Sequence, residues 1–259
     1  MSATMSPRST DAVRATPNRD RLGTKPGGGR HRIFYGLVIL TAVVLVATLQ
    51  VVFLRAPEEK TMGIVQKIFY FHVPSAVGMY LGAGVCFLGS ALYLAKGDLK
   101  WDALARAGAD VTVVMGLMLL ISGPLWAARA WGRYWTWDPR LTTSLLNVLI
   151  YVAYTVMRSF SAGGDAERKF AAALGILGAA NIPIIRYSVQ KWGGQHPRVI
   201  TQGGGGLSHP DMKMALGLGF LSFALMTVVF IWQRTRLHLA SAEVESLEQE
   251  ALELGIAGD

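Results

Sequence analysis

The segment 131-WGRYWTWDPRLT-142 places Trp131, Trp135 and Trp137 within seven residues and sets Arg133, Asp138 and Arg140 among them. Apolar runs flank it, residues 109–128 on one side and 141–157 on the other. Runs of about 17 to 20 apolar residues are the length a helix needs to cross roughly 30 Å of hydrocarbon. A charged, aromatic island between two such runs is a loop at a membrane surface. The fold class follows from it: helices that cross, joined at the two faces by loops.

Working outward, four more apolar runs lie at 33–54, 73–95, 170–185 and 214–232, making six. The composition agrees. The chain is 52% hydrophobic and 16% charged, whereas about a quarter of the residues of a soluble domain are charged. The expectation is an all-α membrane protein, a bundle of six transmembrane helices. Pro124 and Pro183 are expected to bend the third and fifth spans or end them early. Gly78 and Gly82 form a GxxxG pair that permits close helix approach. Asn147 and Asn181, polar at membrane depth, read as partners in a hydrogen bond between helices.

Charge sets the orientation. Arg8, Arg14, Arg19, Arg21, Lys25, Arg30 and Arg32 precede the first span, opposed only by Asp11 and Asp20. This basic arm, residues 1–32, reads as disordered and cytoplasmic. The net charge of +8 is thereby an orientation signal and calls for no nucleic acid. Six spans return the C-terminus to the same side, so both termini are expected in the cytoplasm. The membrane domain is 33–233. The tail 234–259 is acidic, with Val244, Leu247, Ala251 and Leu254 spaced for one face of a helix. Loops at 96–110 and 158–169 fall on the inner side. Segments 55–72, 129–142 and 186–213 share the outer face and hold all the residues that suggest chemistry.

A single tryptophan there is ordinarily a belt residue at the bilayer surface. Three together, interleaved with arginines and an aspartate, exceed what anchoring needs. Indole faces stack on flat conjugated molecules, and arginine forks bind carboxylates. Asp138 either positions an arginine or caps the helix that Pro139 starts. His72 lies where the first outer segment meets the second span, and His196 lies in the third outer segment. Two histidines from separate segments can meet the two faces of a flat metal macrocycle, and neutral imidazole is a good ligand for haem iron. His209, beyond the run Gly203–Gly206, is a less constrained candidate, and His31 and His238 read as ordinary interfacial residues. Cys86 is the only cysteine, which excludes an internal disulfide, a CxxC pair and covalent haem attachment through CxxCH.

The tryptophan segment resembles the WGxxWxWDxRLT signature of the haem-handling membrane proteins of cytochrome c biogenesis. Within that group, the six spans resemble the haem exporter protein C family. The likeness extends to His72 before Val73-Pro74 and to His196 after Ser188, Val189 and Trp192, and it covers residues 33–233. It implies a multi-pass protein of the bacterial cytoplasmic (inner) membrane that holds b-type haem transiently at its periplasmic side. It implies delivery to a periplasmic haem chaperone, beside ABC-transporter subunits and a small membrane subunit. His72 and His196 become the axial ligands, Trp131, Trp135, Trp137 and Asp138 the platform, and Arg133 or Arg140 the partner of a propionate. Membrane lipid is the remaining partner. The reading is of a transport and assembly factor rather than a catalyst. Three alternatives stay open: a component of a cytochrome c haem lyase or synthase, a b-type electron carrier, and a transporter for another ligand with the tryptophans as a belt.

Overall fold

The structure is a computed structural model, and it describes residues 28–160, 164–196 and 207–255. Most of the basic arm, the Gly203–Gly206 run and the last four residues lie outside that set. The described residues contain six long helices and no strand: α1 (Gly28–Gln50), α2 (Phe69–Lys96), α3 (Leu99–Trp131), α4 (Pro139–Phe160), α5 (Asp165–Trp192) and α6 (Pro210–Glu253). All six are long and apolar enough to cross a membrane.

The helices outrun the apolar runs at both ends. The stretch 96–110, expected as a loop, is a loop only at Gly97 and Asp98. Asp98 caps α3 by accepting a hydrogen bond from the Lys100 amide at 3.0 Å. Charged residues are then tolerated within α3 because they are paired. Asp102 meets Arg158 of α4 at 2.7 Å, and Asp110 meets Arg234 and His238 of α6, each at 2.7 Å. His238, expected as an ordinary interfacial residue, is therefore a buried hydrogen-bond partner of Asp110. The prolines do not end their helices early: α3 runs through Pro124 to Trp131, and α5 runs through Pro183 to Trp192. A proline removes one amide donor, and packing against neighbouring helices holds the remaining turns.

The core is built from α2, α3, α4, α5 and the first half of α6. Small residues let α2 and α3 approach closely: a Cβ on Gly82 would stand 2.7 Å from Thr112 Oγ1 and 2.9 Å from the Thr112 amide nitrogen. Cys86 sits buried in this contact. Asn181 of α5 donates to the Thr143 carbonyl at 2.9 Å and to Asn147 Oδ1 at 3.4 Å, both on α4. The two asparagines thus join helices, as their position in the sequence suggested. α1 lies on the outside against α6, tied by Thr48 to Ser222 at 2.7 Å and by the rings of Phe34 and Trp232 at 5.8 Å. A π-helical turn (Val51–Arg55) ends α1, and a 3-10 turn (Ile64–Ile68) leads into α2. The chain from α1 to α2, the link from α3 to α4, and residues 193–196 after α5 all lie at one end of the bundle.

Candidate functional site

At that end a cavity of about 270 Å³ opens between α2, α3, α4 and α5. His72, Tyr80, Trp126, Trp131, Trp135, Arg140, Arg186 and His196 all line it, together with mostly apolar residues of α2, α3 and the start of α4. Histidines 124 positions apart, reckoned as 196 − 72, thus share one space. Among the described residues the wall carries two arginines and no carboxylate. Its chemistry is apolar and aromatic, with a cationic edge and two imidazoles.

His72 occupies the first turn of α2. Its Nδ1 lies 3.0 Å from Ser122 Oγ of α3. The Ser122 hydroxyl donates its own hydrogen to the Met118 carbonyl at 2.6 Å, the usual back-bond of a helical serine. The Ser122 oxygen therefore acts as an acceptor toward the ring, and His72 Nδ1 carries the proton. The lone pair is left on Nε2, the other ring nitrogen, as in metal-binding histidines whose second nitrogen is held by a partner.

The other half of the site is set by Asp138. Its Oδ1 accepts from the Arg140 amide at 2.9 Å, which caps α4. Its Oδ2 accepts from the Gln195 amide at 2.6 Å, which ties the segment after α5 to the tryptophan segment. Gly194 makes that approach possible: its φ is 145° and a Cβ there would collide with Asp138 Oδ2. Asp138 is 6% exposed and lies behind the cavity wall, where it holds Arg140 and His196 in position. Arg140 Nη1 donates to His196 Nδ1 at 3.2 Å, and Nη2 donates to the Arg186 carbonyl at 3.0 Å. A guanidinium can only donate, so His196 Nδ1 is the acceptor and the two histidines rest in opposite tautomers.

The tryptophans divide. Trp131 packs edge-on against Trp126 at 5.7 Å, and Trp126 Nε1 donates to Gln66 Oε1 at 3.3 Å. Trp135 packs edge-on against Trp137 at 5.8 Å. Trp135 faces the cavity, and its buried Nε1 has no acceptor among the described residues. Trp137, 76% exposed, and the exposed Arg133 do not line the cavity. His209 caps α6 by accepting from the Asp211 amide at 3.2 Å, away from the cavity. Tyr80, Ser122, Trp126 and Arg186 are residues that sequence reasoning missed. Each sits inside a helix, where it reads as one polar or aromatic residue in an apolar run.

Residues 29–250 match the family described as CcmC, heme exporter protein C. The chain belongs to this family. It is 32% identical over 207 residues to heme exporter protein C of Bradyrhizobium diazoefficiens, covering 77% of this chain and 73% of that protein. Against heme exporter protein C of Escherichia coli K12 the identity is 30% over 188 residues, covering 70% and 73%. Against that of Rhodobacter capsulatus it is 27% over 225 residues, covering 84% and 91%. The haem exporter protein C family is one of cytochrome c biogenesis.

Proposed function

We propose that the cavity holds haem as cargo and presents it for transfer to a periplasmic haem chaperone during cytochrome c maturation. The observation that carries this reading is the convergence of His72 and His196 on one tryptophan-lined space whose charged lining residues, among those described, are Arg140 and Arg186. A flat apolar molecule with an anionic edge suits such a wall, because aromatic faces take the ring and guanidinium forks take carboxylates. Two imidazoles suffice only where the ligand brings its own remaining donors. Zinc sites use three or four side chains, and no cluster of three or more His, Cys, Asp or Glu stands ready among the described residues. Haem iron, held by its porphyrin, needs two.

The chain's own part in this is positional. Ser122 keeps Nε2 of His72 available. Asp138 holds His196 and Arg140 at the mouth. Arg140 exchanges its contact with His196 for a propionate when cargo enters, which frees the imidazole. Cys86 is buried within the bundle and does not line the cavity, so the haem is held without a thioether, as a b-type and transient guest. The basic arm orients this end of the bundle toward the periplasm of a bacterial inner membrane. Partners are an ABC-transporter assembly with its small membrane subunit, together with the chaperone, and the role is handling of cargo rather than catalysis.

The test is the absorption spectrum of the purified protein. A haem band is expected in the wild type and its loss in the double variant His72→Ala/His196→Ala. Absence of haem from the wild type, or an unchanged spectrum in the double variant, would refute the reading.

A further inference from the structure

The opposite end of the bundle presents a different chemistry. Asp102 of α3 lies roughly 40 Å from Trp131 along the same helix. Around it stand Arg106 of α3, Arg158 near the end of α4 and Arg168 near the start of α5, together lining a small cavity of about 10 Å³. Asp102 Oδ2 lies 2.7 Å from Arg158 Nη2 and 3.8 Å from Arg168 Nε. One carboxylate thus faces three guanidinium groups.

The remaining acids nearby are committed or distant. Asp110 is shared by Arg234 and His238, and Asp165 pairs with Lys169 at 2.7 Å and accepts from Tyr93 at 2.9 Å. Glu245 of α6 reaches the rim of the cavity but is exposed and forms no ion pair. The Arg158 side chain is 3% exposed. Its Nε and Nη1, and Nε of Arg168, are buried with no hydrogen-bond acceptor among the described residues. Buried guanidinium N–H groups left without an acceptor are costly, and three guanidinium groups around one carboxylate leave room for a further anion.

We propose that Arg106, Arg158 and Arg168 form a binding site for a phosphate oxyanion at this end of the bundle. The size of the cavity sets the fit. It has room for about one oxygen atom or water, so one phosphate oxygen enters between the guanidinium groups and the rest of the ligand stays outside. Haem and nucleotides are too large to be enclosed there. Guanidinium recognises phosphate through charge-assisted hydrogen bonds. Two sources supply that chemistry at a membrane surface: the headgroup of an anionic phospholipid, and free phosphate.

The experiment uses the full chain, delipidated in detergent, and follows its thermal unfolding midpoint. Three additions are compared: phosphatidylglycerol, diacylglycerol with the same acyl chains but no phosphate, and inorganic phosphate. Phosphatidylglycerol is expected to raise the midpoint and diacylglycerol to leave it in place. A rise with inorganic phosphate as well assigns the site to the free oxyanion, and a rise with phosphatidylglycerol alone assigns it to lipid. Arg158→Gln is the wrong probe, because it strands buried Asp102 and endangers folding. Arg168→Gln and Arg106→Gln keep the pair of Arg158 with Asp102, and each is expected to weaken the response about tenfold in ligand concentration. Equal responses to phosphatidylglycerol and diacylglycerol, no response to any addition, or a full response in both variants would overturn the proposal.

Discussion

The two halves of the histidine cavity are built by different means. One half stands on α2 and α3, where His72, Trp126 and Trp131 are fixed within regular helices and His72 takes its orientation from Ser122 one helix away. The other half stands on the ends of α4 and α5 and the segments beside them, where Arg140 and the segment carrying His196 are tied to one carboxylate, Asp138. A helix wall holds its ligand whether or not cargo is present. A clamped segment can yield. Under the proposed function, a site that takes and releases haem would gain from this asymmetry, with a firm histidine on one side and a movable one on the other.

The largest effect is expected where the clamp is removed. Asp138→Ala strips the cap from α4 and leaves the Gln195 amide without its acceptor, at a cost of about 2 kcal/mol. Haem retained on purification should fall at least about tenfold, with His196 displaced. A variant that keeps wild-type haem content would show that the second half does not rely on Asp138. Next in size is the contrast between the two ligands. His72→Ala should lose nearly all retained haem, whereas His196→Ala should keep a fraction with a five-coordinate spectrum. The reverse order would invert the assignment of firm and movable sides. Smaller again is Gly123→Ala. The added methyl would stand 3.1 Å from His72 Cε1, crowding the ring and weakening haem retention while the fold persists. Unchanged retention in that variant would mean that His72 has slack.

The helix-bound half was only partly legible in the sequence, and the reason is physical. Apolar runs announce six spans because the bilayer demands about 20 apolar residues in each. Their true ends were less legible: the stretch 99–110 continues α3 with Asp102 and Asp110 paired to residues of other helices, information that no local window holds. The tryptophan segment and both histidines stood out because they break apolar patterns. Asp138 was legible as a helix cap through the following Pro139, but its bond to the Gln195 amide joins segments 57 positions apart. Ser122 and Arg186 were illegible, being single polar residues whose meaning depends on which helix faces them. Trp137 illustrates the converse. Its closeness to Trp135 suggested one platform, yet Trp137 is exposed and lies outside the cavity.

The finest test of the firm side is Ser122. Its oxygen fixes the proton of His72 on Nδ1 and so leaves Nε2 for the cavity. Ser122→Ala deletes that acceptor without adding bulk, and the ring becomes free to exchange tautomers or rotate. The lost hydrogen bond is worth about 1 kcal/mol, which corresponds to roughly a fivefold drop in apparent haem affinity. A purely structural role would give the same small loss of stability but leave the bound spectrum alone. Orientation of the ligand predicts more: a broadened low-spin electron paramagnetic resonance signal in the ferric state, reporting a mixture of imidazole orientations. Ser122→Thr retains the hydroxyl and its bond to the Met118 carbonyl, and should restore a single sharp species. An identical signal in Ser122→Ala and wild type would show that packing alone, chiefly against Gly123, aims His72.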